Sequence, residues 1–336
     1  MNTVYTPMMM RLAPTILLLA ACATDAPEES ATTQSVGCGK FLCGSNSPHA
    51  GALEFYELAL DGTPAPENQL SITSFKDKFG VPMTIDVAGF RLRGIKPGNV
   101  IVGGQGLVGA KLVIGSTLVA VDYEVTIDSV VSTQKYYELG DDMITTLPSY
   151  GMTIRDLTNG GRPQRLCPLP HNDSQTYQAG PYDALIYRGD RYDRTTGEVY
   201  ATGAASGRWF NIACAGDSLS KILITRHAEA ASDALHVTTA NQRTAMVRMF
   251  RADYCGDAIP HTVLGTPLDW ANAGGWNFIL APLTSTNIEA IWNHAGAVCL
   301  SHPRLPPGPL WCAPPPCTAA QIANWKLHGD LVSALP

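Results

Sequence analysis

Apolar and polar residues alternate with a period of two along the first half of the chain. The alternation is clearest in short segments rich in β-branched and aromatic residues: residues 53–60, 83–88, 90–94 and 126–131. This pattern is typical of strands that bury one face against a core. We also expect a strand at residues 184–187 and a hairpin across residues 192–200, where Thr196 and Gly197 separate two aromatic segments.

Helical periodicity replaces this alternation after Cys214. Asp217 or Ser218 is expected to begin a helix that runs toward Ala231, and Thr239 is expected to cap a second helix. The second helix would carry its apolar side chains on one side, at residues 246, 247, 249, 250 and 254.

Two later segments match the capping box, in which a Thr and a Glu or Gln three residues later each bond the other's backbone. One begins at Thr286 with Glu289 as its acidic residue, and the other begins at Thr318 with Gln321. Both indicate further short helices. We therefore predict an α+β fold, with a β-rich N-terminal part followed by a helix-rich, disulfide-stapled C-terminal part.

The apolar segment at residues 12–21 is too short to cross a bilayer, which takes roughly 20 apolar residues. It ends in Leu-Ala-Ala-Cys22, and this ending resembles a bacterial lipoprotein signal. The resemblance implies cleavage before Cys22 and a permanent membrane anchor on that cysteine. Ala23, where Asp would imply retention at the inner membrane, implies the outer membrane. An ordinary secretory signal and a buried apolar helix are the alternatives.

These expectations divide the chain into five regions. A signal peptide (1–21) precedes a small, polar and acidic stretch (22–48) that has too few apolar residues to fold and forms a flexible tether. A β-rich region (49–165) follows, and then a domain that contains the central motif described below (166–305). The chain ends in an extension rich in Pro and Cys, with a terminal helix (306–336).

Eight of the nine cysteines remain once Cys22 is assigned to lipidation: Cys38, Cys43, Cys167, Cys214, Cys255, Cys299, Cys312 and Cys317. An even number in an oxidising compartment predicts up to four disulfides. The first two and the last two are close enough in sequence to close small loops, and the other four would then pair in one of three ways. A zinc site is the alternative, but no Cys-x2-Cys pair occurs.

Charge and composition exclude several classes of partner. Charged residues make up 15% of the chain, the net charge is −6 and no basic run occurs, so we expect no nucleic-acid partner. The histidines lack metal-ligand spacing, and the glycines at residues 103–106 lack the acidic residue of a dinucleotide fingerprint. We therefore expect neither a metal nor a cofactor. Five tryptophans would suit a glycan-binding face, although core and rim positions are the simpler explanation: Trp270, Trp276, Trp292, Trp311 and Trp325.

The central motif is Ala252-Asp253-Tyr254-Cys255, inside residues 246–257. Further segments accompany it in a fixed order: residues 107–112, 166–168, 210–216 and 297–299. Together they resemble the ADYC-domain proteins, a family named after the tetrapeptide, over roughly residues 102–304. The resemblance implies a secreted protein or a lipoprotein, and it implies no particular activity.

Two positions depart from that family's pattern. Where the family leads us to expect a cysteine after Lys221 this chain has Ile222, and where it leads us to expect one upstream of the tetrapeptide it has Met246. A pair lost together to apolar residues implies that the two cysteines bond to each other in relatives. Ile222 and Met246 are therefore expected to touch.

Asp253, Asp257 and His261 are the candidate catalytic residues. A carboxylate, an imidazole and a phenol within nine residues would suit general acid–base catalysis, and Cys255 with His261 would form a nucleophile pair.

The structural interpretation of the same residues is favoured. In it Cys255 is disulfide-bonded, Gly256 ends the helix in a left-handed conformation, Arg251 and Asp253 form buried ion pairs and Tyr254 belongs to the core.

We accordingly expect a non-catalytic lipoprotein of the outer membrane that acts as a binding or structural module for an unidentified protein or glycan. The alternative is a cell-envelope hydrolase that uses Asp253, Asp257 and His261. A hydrolase needs these side chains to converge in an open cleft, whereas a scaffold buries them in ion pairs and turns.

Overall fold

The computed structural model describes fifteen segments of the chain: residues 49–50, 53–66, 69–118, 120–135, 146–167, 183–193, 196–200, 207–215, 217–228, 238–262, 266–275, 277, 279, 281–305 and 310–336. The predicted signal peptide, Cys22 and the tether with Cys38 and Cys43 lie outside these residues.

The described residues contain many short strands and three α-helices. The strands are β1 (His49–Ala50), β2 (Leu53–Glu54), β3 (Leu58–Ala59), β4 (Leu70–Lys76), β5 (Thr84–Ala88), β6 (Arg91–Lys96), β7 (Val100–Gly103), β8 (Lys111–Ser116), β9 (Val121–Lys135), β10 (Thr146–Asp156), β11 (Gln164–Arg165), β12 (Ala184–Arg188), β13 (Arg191–Tyr192), β14 (Val199–Tyr200), β15 (Trp209–Cys214), β16 (Asp269–Asn272), β17 (Ile288–Asn293), β18 (Gly296–Leu300) and β19 (Leu331–Ala334). The helices are α1 (Ser218–Ile224), α2 (Ala240–Arg251) and α3 (Ala319–Ala323).

An eight-stranded antiparallel sheet organises the N-terminal half. Its order is β3-β15-β12-β10-β9-β8-β4, and β11 pairs with β10. The end strands β3 and β4 lie against each other, so the sheet is nearly closed into a barrel. Val125 and Ile127 of β9 point into the core, and a bulge at Asp128 shifts the alternation so that Val130 also points inward. The predicted β-rich region is therefore present.

A second sheet of three strands, β5-β6-β7, packs on this barrel-like sheet. Its inward side chains Ile85, Val87 and Leu92 join the same apolar core. The predicted hairpin at residues 192–200 is also present, because β13 pairs with β14 across its turn.

The C-terminal half is built on a four-stranded antiparallel sheet of order β16-β19-β17-β18, with α1 and α2 packed together and α2 packed on the sheet. The predicted helix-rich C-terminal part is therefore wrong. Residues 286–289 form no helix, because Ile288 begins β17 and its neighbours pair with β19. Five of the six β17 residues are buried, so its sequence lacks the alternation that marks a half-exposed strand.

Three predicted helix starts are confirmed. The first is Ser218 of α1, with Asp217 as the N-cap residue, although this helix ends at Ile224 and does not continue toward Ala231. Thr239 and Thr318 each accept a hydrogen bond from a backbone N–H in the first turn, and each forms the complete capping box. The end of α2 differs from the prediction. The helix stops at Arg251, and the left-handed residue that ends it is Ala252 (φ 53°) rather than Gly256.

The described residues, from His49 onward, belong to one compact unit. The boundary expected at residues 165/166 falls inside the large sheet, since β12 and β15 after it pair with β10 and β3 before it. Among the described residues, no helix is both long and apolar enough to cross a membrane.

Candidate functional site

The tetrapeptide lies in the turn that follows α2 and is pressed against the tip of the β17–β18 hairpin. The backbone N–H of Ala297 donates to the Tyr254 carbonyl at 2.9 Å. A side chain at Gly256 would collide with the Ala295 carbonyl oxygen, and Gly256 has a positive φ of 67°. Both facts require glycine at this position. The motif thus joins a helix end to a hairpin.

Asp253 is buried and its carboxylate is fully engaged by the fold. Its Oδ2 lies 2.8 Å from Nη1 of the buried Arg248, and its two oxygens accept the backbone N–H groups of Asp257 (3.0 Å) and Ala258 (3.1 Å). Burial raises the pKa of Asp253, and the Arg248 guanidinium opposes that shift. The predicted buried ion pair is confirmed, but Asp253 makes it with Arg248, while Arg251 donates to the Ala258 carbonyl.

Tyr254 is a core residue, as expected. Its ring stacks on Trp292 with centroids 5.4 Å apart and on His261 at 5.6 Å. Its hydroxyl donates to Glu289 Oε1 at 2.8 Å and accepts the backbone N–H of Arg304 at 2.9 Å. Burial, followed by the Glu289 charge, raises the pKa of Tyr254. The phenol therefore remains a neutral donor.

Glu289 is the centre of a buried polar network around this tyrosine. Arg304 faces it with Nε 2.8 Å from Oε1 and Nη2 3.0 Å from Oε2. The Ser333 hydroxyl donates to Oε2 at 2.7 Å and accepts from the Trp292 indole at 2.7 Å. Such a network is stable only when nearly every member is paired, which makes its removal costly.

Arg304 also completes the C-terminal end of α2. Its guanidinium donates to the carbonyl oxygens of Met249 and Phe250 in the last turn of the helix. A cation at this end also interacts favourably with the partial negative charge of the helix dipole. Arg304 therefore connects α2, the helix before the motif, to the strand that carries Glu289.

Asp257 and His261 lie nearer the surface and are partly buried. Asp257 accepts the Trp311 indole N–H on Oδ2 at 2.6 Å and the backbone N–H of Ile259 on Oδ1 at 3.0 Å. Burial lowers the pKa of His261, while the Asp257 charge opposes the shift. The imidazole therefore loses its proton more readily than in water, but it is held by stacking on Tyr254.

The three candidate catalytic residues line neither of two cavities in the described structure. The larger cavity, of about 520 Å³, lies between residues 271–283 and the segment from α3 to Lys326. The smaller one, of about 100 Å³, lies between β6, β7, β9 and β10. Asp253, Asp257 and His261 are close in sequence, but the fold gives each a different structural task.

The six described cysteines form three disulfides: Cys167–Cys214, Cys255–Cys312 and Cys299–Cys317. The predicted local loop between Cys312 and Cys317 is wrong, because each bonds to the motif region or to β18 instead. Cys255 is oxidised, so the Cys255–His261 nucleophile pair is also wrong.

The described residues contain no cluster of three or more His, Cys, Asp or Glu side chains suited to a metal ion. Trp270 and Trp292 are buried, Trp311 is exposed and Trp325 lines the larger cavity. Trp276 lies outside the described residues. The tryptophans therefore do not share one glycan-binding face.

Ile222 and Met246, the two apolar replacements, are both fully buried in one cluster where α1 packs on α2. Sequence reasoning missed three buried charged residues of the site: Arg248, Glu289 and Arg304. The one local signal was a lone carboxylate, Glu289, inside the apolar stretch 288–292.

Comparison with protein-family models found a match. The model of the ADYC domain matches residues 104–306, which is more than half of the chain. The chain therefore belongs to the ADYC-domain family. Searches of curated proteins and of solved structures found no match.

Proposed function

We propose that the chain is a lipoprotein held in the outer membrane through Cys22, and that its folded body is a non-catalytic binding or structural module. The short apolar segment and the Leu-Ala-Ala-Cys22 ending support the anchor. The three disulfides support an oxidising compartment, which is where such a protein folds.

One observation carries the non-catalytic part of the proposal: the fold itself uses the acid–base groups of the motif. A general acid or base must reach a substrate proton directly or through one water. Asp253 is buried against Arg248 and two backbone N–H groups, and Tyr254 is buried against Glu289. These partners stabilise the turn, which supports a structural role for both side chains.

The anchor is tested by fractionating cells that express the full chain or its Cys22→Ser variant. The expected result is that the wild-type chain is in the membrane fraction with a mass increment of three acyl chains on Cys22, and that the variant lacks it. A soluble wild-type chain cleaved at another residue would contradict the anchor.

The absence of catalysis is tested separately, with isolated cell-wall sacculi and a panel of chromogenic esters. The proposal expects no turnover above that of the Asp257→Asn and His261→Gln variants. Both variants change partly exposed groups, so they should fold. Turnover by the wild-type chain that either variant abolishes at unchanged stability would establish the hydrolase instead.

A further inference from the structure

The turn between β4 and β5 carries a cluster of exposed apolar side chains together with the edge strand β7. Phe79 is 78% exposed, and Val81, Val100 and Ile101 are exposed too, the last at 60%. We call these four residues the apolar tip. Exposed apolar side chains gathered at one end of a sheet are typical of an interaction site.

The two parts of the apolar tip lie at the same end of the β5-β6-β7 sheet, with the consecutive strand residues Val100 and Ile101 on its opposite faces. Lys96 of β6 pairs in register with Val100 of β7, and its Nζ lies 2.5 Å from Asp77 Oδ2 at the base of the turn. Thr84, three residues after Val81, is in register with Ile95 and through it with Ile101. Thr84 and Ile101 are therefore two inter-strand spacings apart, which is roughly 10 Å.

The turn is also preorganised, so the exposure of Phe79 is built into the fold. The buried Asp77 accepts the backbone N–H groups of Phe79 at 2.9 Å and Val81 at 2.8 Å. Gly80 supplies the positive φ of 82° that the turn needs. The side chain of Phe79 is therefore held outward at the end of a rigid loop.

The charges around the tip are positive, in contrast to the rest of the chain. Residues 74–82 and 95–103 contain Lys76, Lys78 and Lys96 and a single carboxylate, Asp77, which Lys96 neutralises. The formal net charge of the whole chain is −6. The Lys78 ammonium lies 5.1 Å from the centre of the Phe79 ring. A protruding aromatic ring flanked by lysines matches the headgroup region of an anionic bilayer.

We propose that the apolar tip is a membrane-contact surface that inserts Phe79 between the headgroups of anionic phospholipid, with Lys76 and Lys78 on the phosphates. The charge complementarity favours a lipid surface over a second copy of this acidic chain. The surface acts without the lipid on Cys22, and it would give a tethered protein a second attachment that fixes its orientation.

The test is vesicle flotation with residues 22–336 carrying Cys22→Ser, which keep every described residue and have no acyl chain. The probes are phosphatidylcholine vesicles with and without one third phosphatidylglycerol. The protein is expected to bind only the anionic vesicles. Phe79→Ser should weaken binding by about tenfold or more, because an apolar ring no longer leaves water. Lys78→Gln should weaken it by about fivefold.

Leu327→Ser is the matched control, because Leu327 is 82% exposed and lies in the segment after α3 rather than in the apolar tip. It should leave vesicle binding unchanged. Equal loss in Phe79→Ser and Leu327→Ser, or no binding by the starting protein, would overturn the proposal. Self-association that Phe79→Ser abolishes, without vesicle binding, would instead assign the tip to a second copy. All variants are first checked for an unchanged melting temperature.

Discussion

The Tyr254 hydroxyl donates a hydrogen bond to Glu289, with 2.8 Å between the two oxygens, and both side chains are buried. This contact connects the motif turn after α2 to the start of β17, across 35 residues of sequence. The same carboxylate forms an ion pair with Arg304, whose backbone N–H donates a hydrogen bond to the Tyr254 hydroxyl. The tetrapeptide therefore closes a polar ring inside the C-terminal half, and its tyrosine has a structural task.

Tyr254→Phe should lower the free energy of unfolding by about 1–3 kcal/mol, because it leaves the partly buried backbone N–H of Arg304 without an acceptor and removes one donor from the buried Glu289. Tyr200→Phe is the matched control, since that hydroxyl bonds Asp193 at the surface and its loss should cost no more than about 0.5 kcal/mol. Urea unfolding measures both. Equal effects of the two variants would contradict the buried network.

Asp253→Asn should cost more, about 3–5 kcal/mol, because it leaves the Arg248 guanidinium as an uncompensated buried charge. We expect a lower melting temperature and a lower secreted yield for Asp253→Asn. Asp86→Asn is the control. Its partner Arg93 is partly exposed, so breaking that pair should cost about 0–1 kcal/mol. If Asp253→Asn kept full stability and lost a measurable binding or hydrolytic activity, the structural role of Asp253 would be refuted.

These two residues show which parts of the site the sequence predicts. Tyr254 in the core and Asp253 in an ion pair follow from their position at a helix end beside a cysteine. Their partners do not follow. Glu289 is 35 residues from Tyr254 in a segment whose Thr286 start matched a capping box, and local pattern alone cannot decide between a capped helix and a strand paired with β19.

The fold shows the same division between local and distant interactions. Strands β3, β9 and β12 of the barrel-like sheet and the capping boxes of Thr239 and Thr318 are local features, and sequence patterns predicted them. The four-stranded C-terminal sheet depends on β19, whose four residues pair with strands that begin at Asp269 and Ile288. Both faces of β19 are buried, so its sequence does not alternate between apolar and polar residues. Sequence periodicity therefore did not predict this pairing.

Disulfide mapping by non-reducing proteolysis should recover the peptides Cys255–Cys312 and Cys299–Cys317. A peptide that joins Cys312 to Cys317 would contradict the fold of the C-terminal segment. Replacing both cysteines of a pair by Ala should cost about 4 kcal/mol for Cys255–Cys312 and about 3 kcal/mol for Cys299–Cys317. The difference arises because the first closes a longer loop, of 57 residues against 18. Cys167 and Cys214 should likewise resist alkylation before reduction.

Because of Lys221 in α1, the stability of the protein should vary with pH in the alkaline range. Burial lowers its pKa from 10.5 to about 8, and the Arg304 charge adds to the shift. Its ammonium also lies 5.7 Å from the centre of the Phe250 ring. Below pH 8 both the folded and the unfolded chain hold the proton, so the folded state carries the full cost of burying this charge.

Between pH 8 and 10.5 the unfolded chain keeps the Lys221 proton that the folded chain releases, so this group makes stability rise with pH in that window. Lys221→Met should remove this rise and stabilise the protein at neutral pH by about 2 kcal/mol, allowing for the partial exposure of the side chain. The measurement is urea unfolding of wild type and variant across the window. Lys326→Met, which changes an exposed lysine, should follow the wild-type profile. A Lys221→Met profile parallel to the wild type would mean that this lysine is solvated in the folded protein.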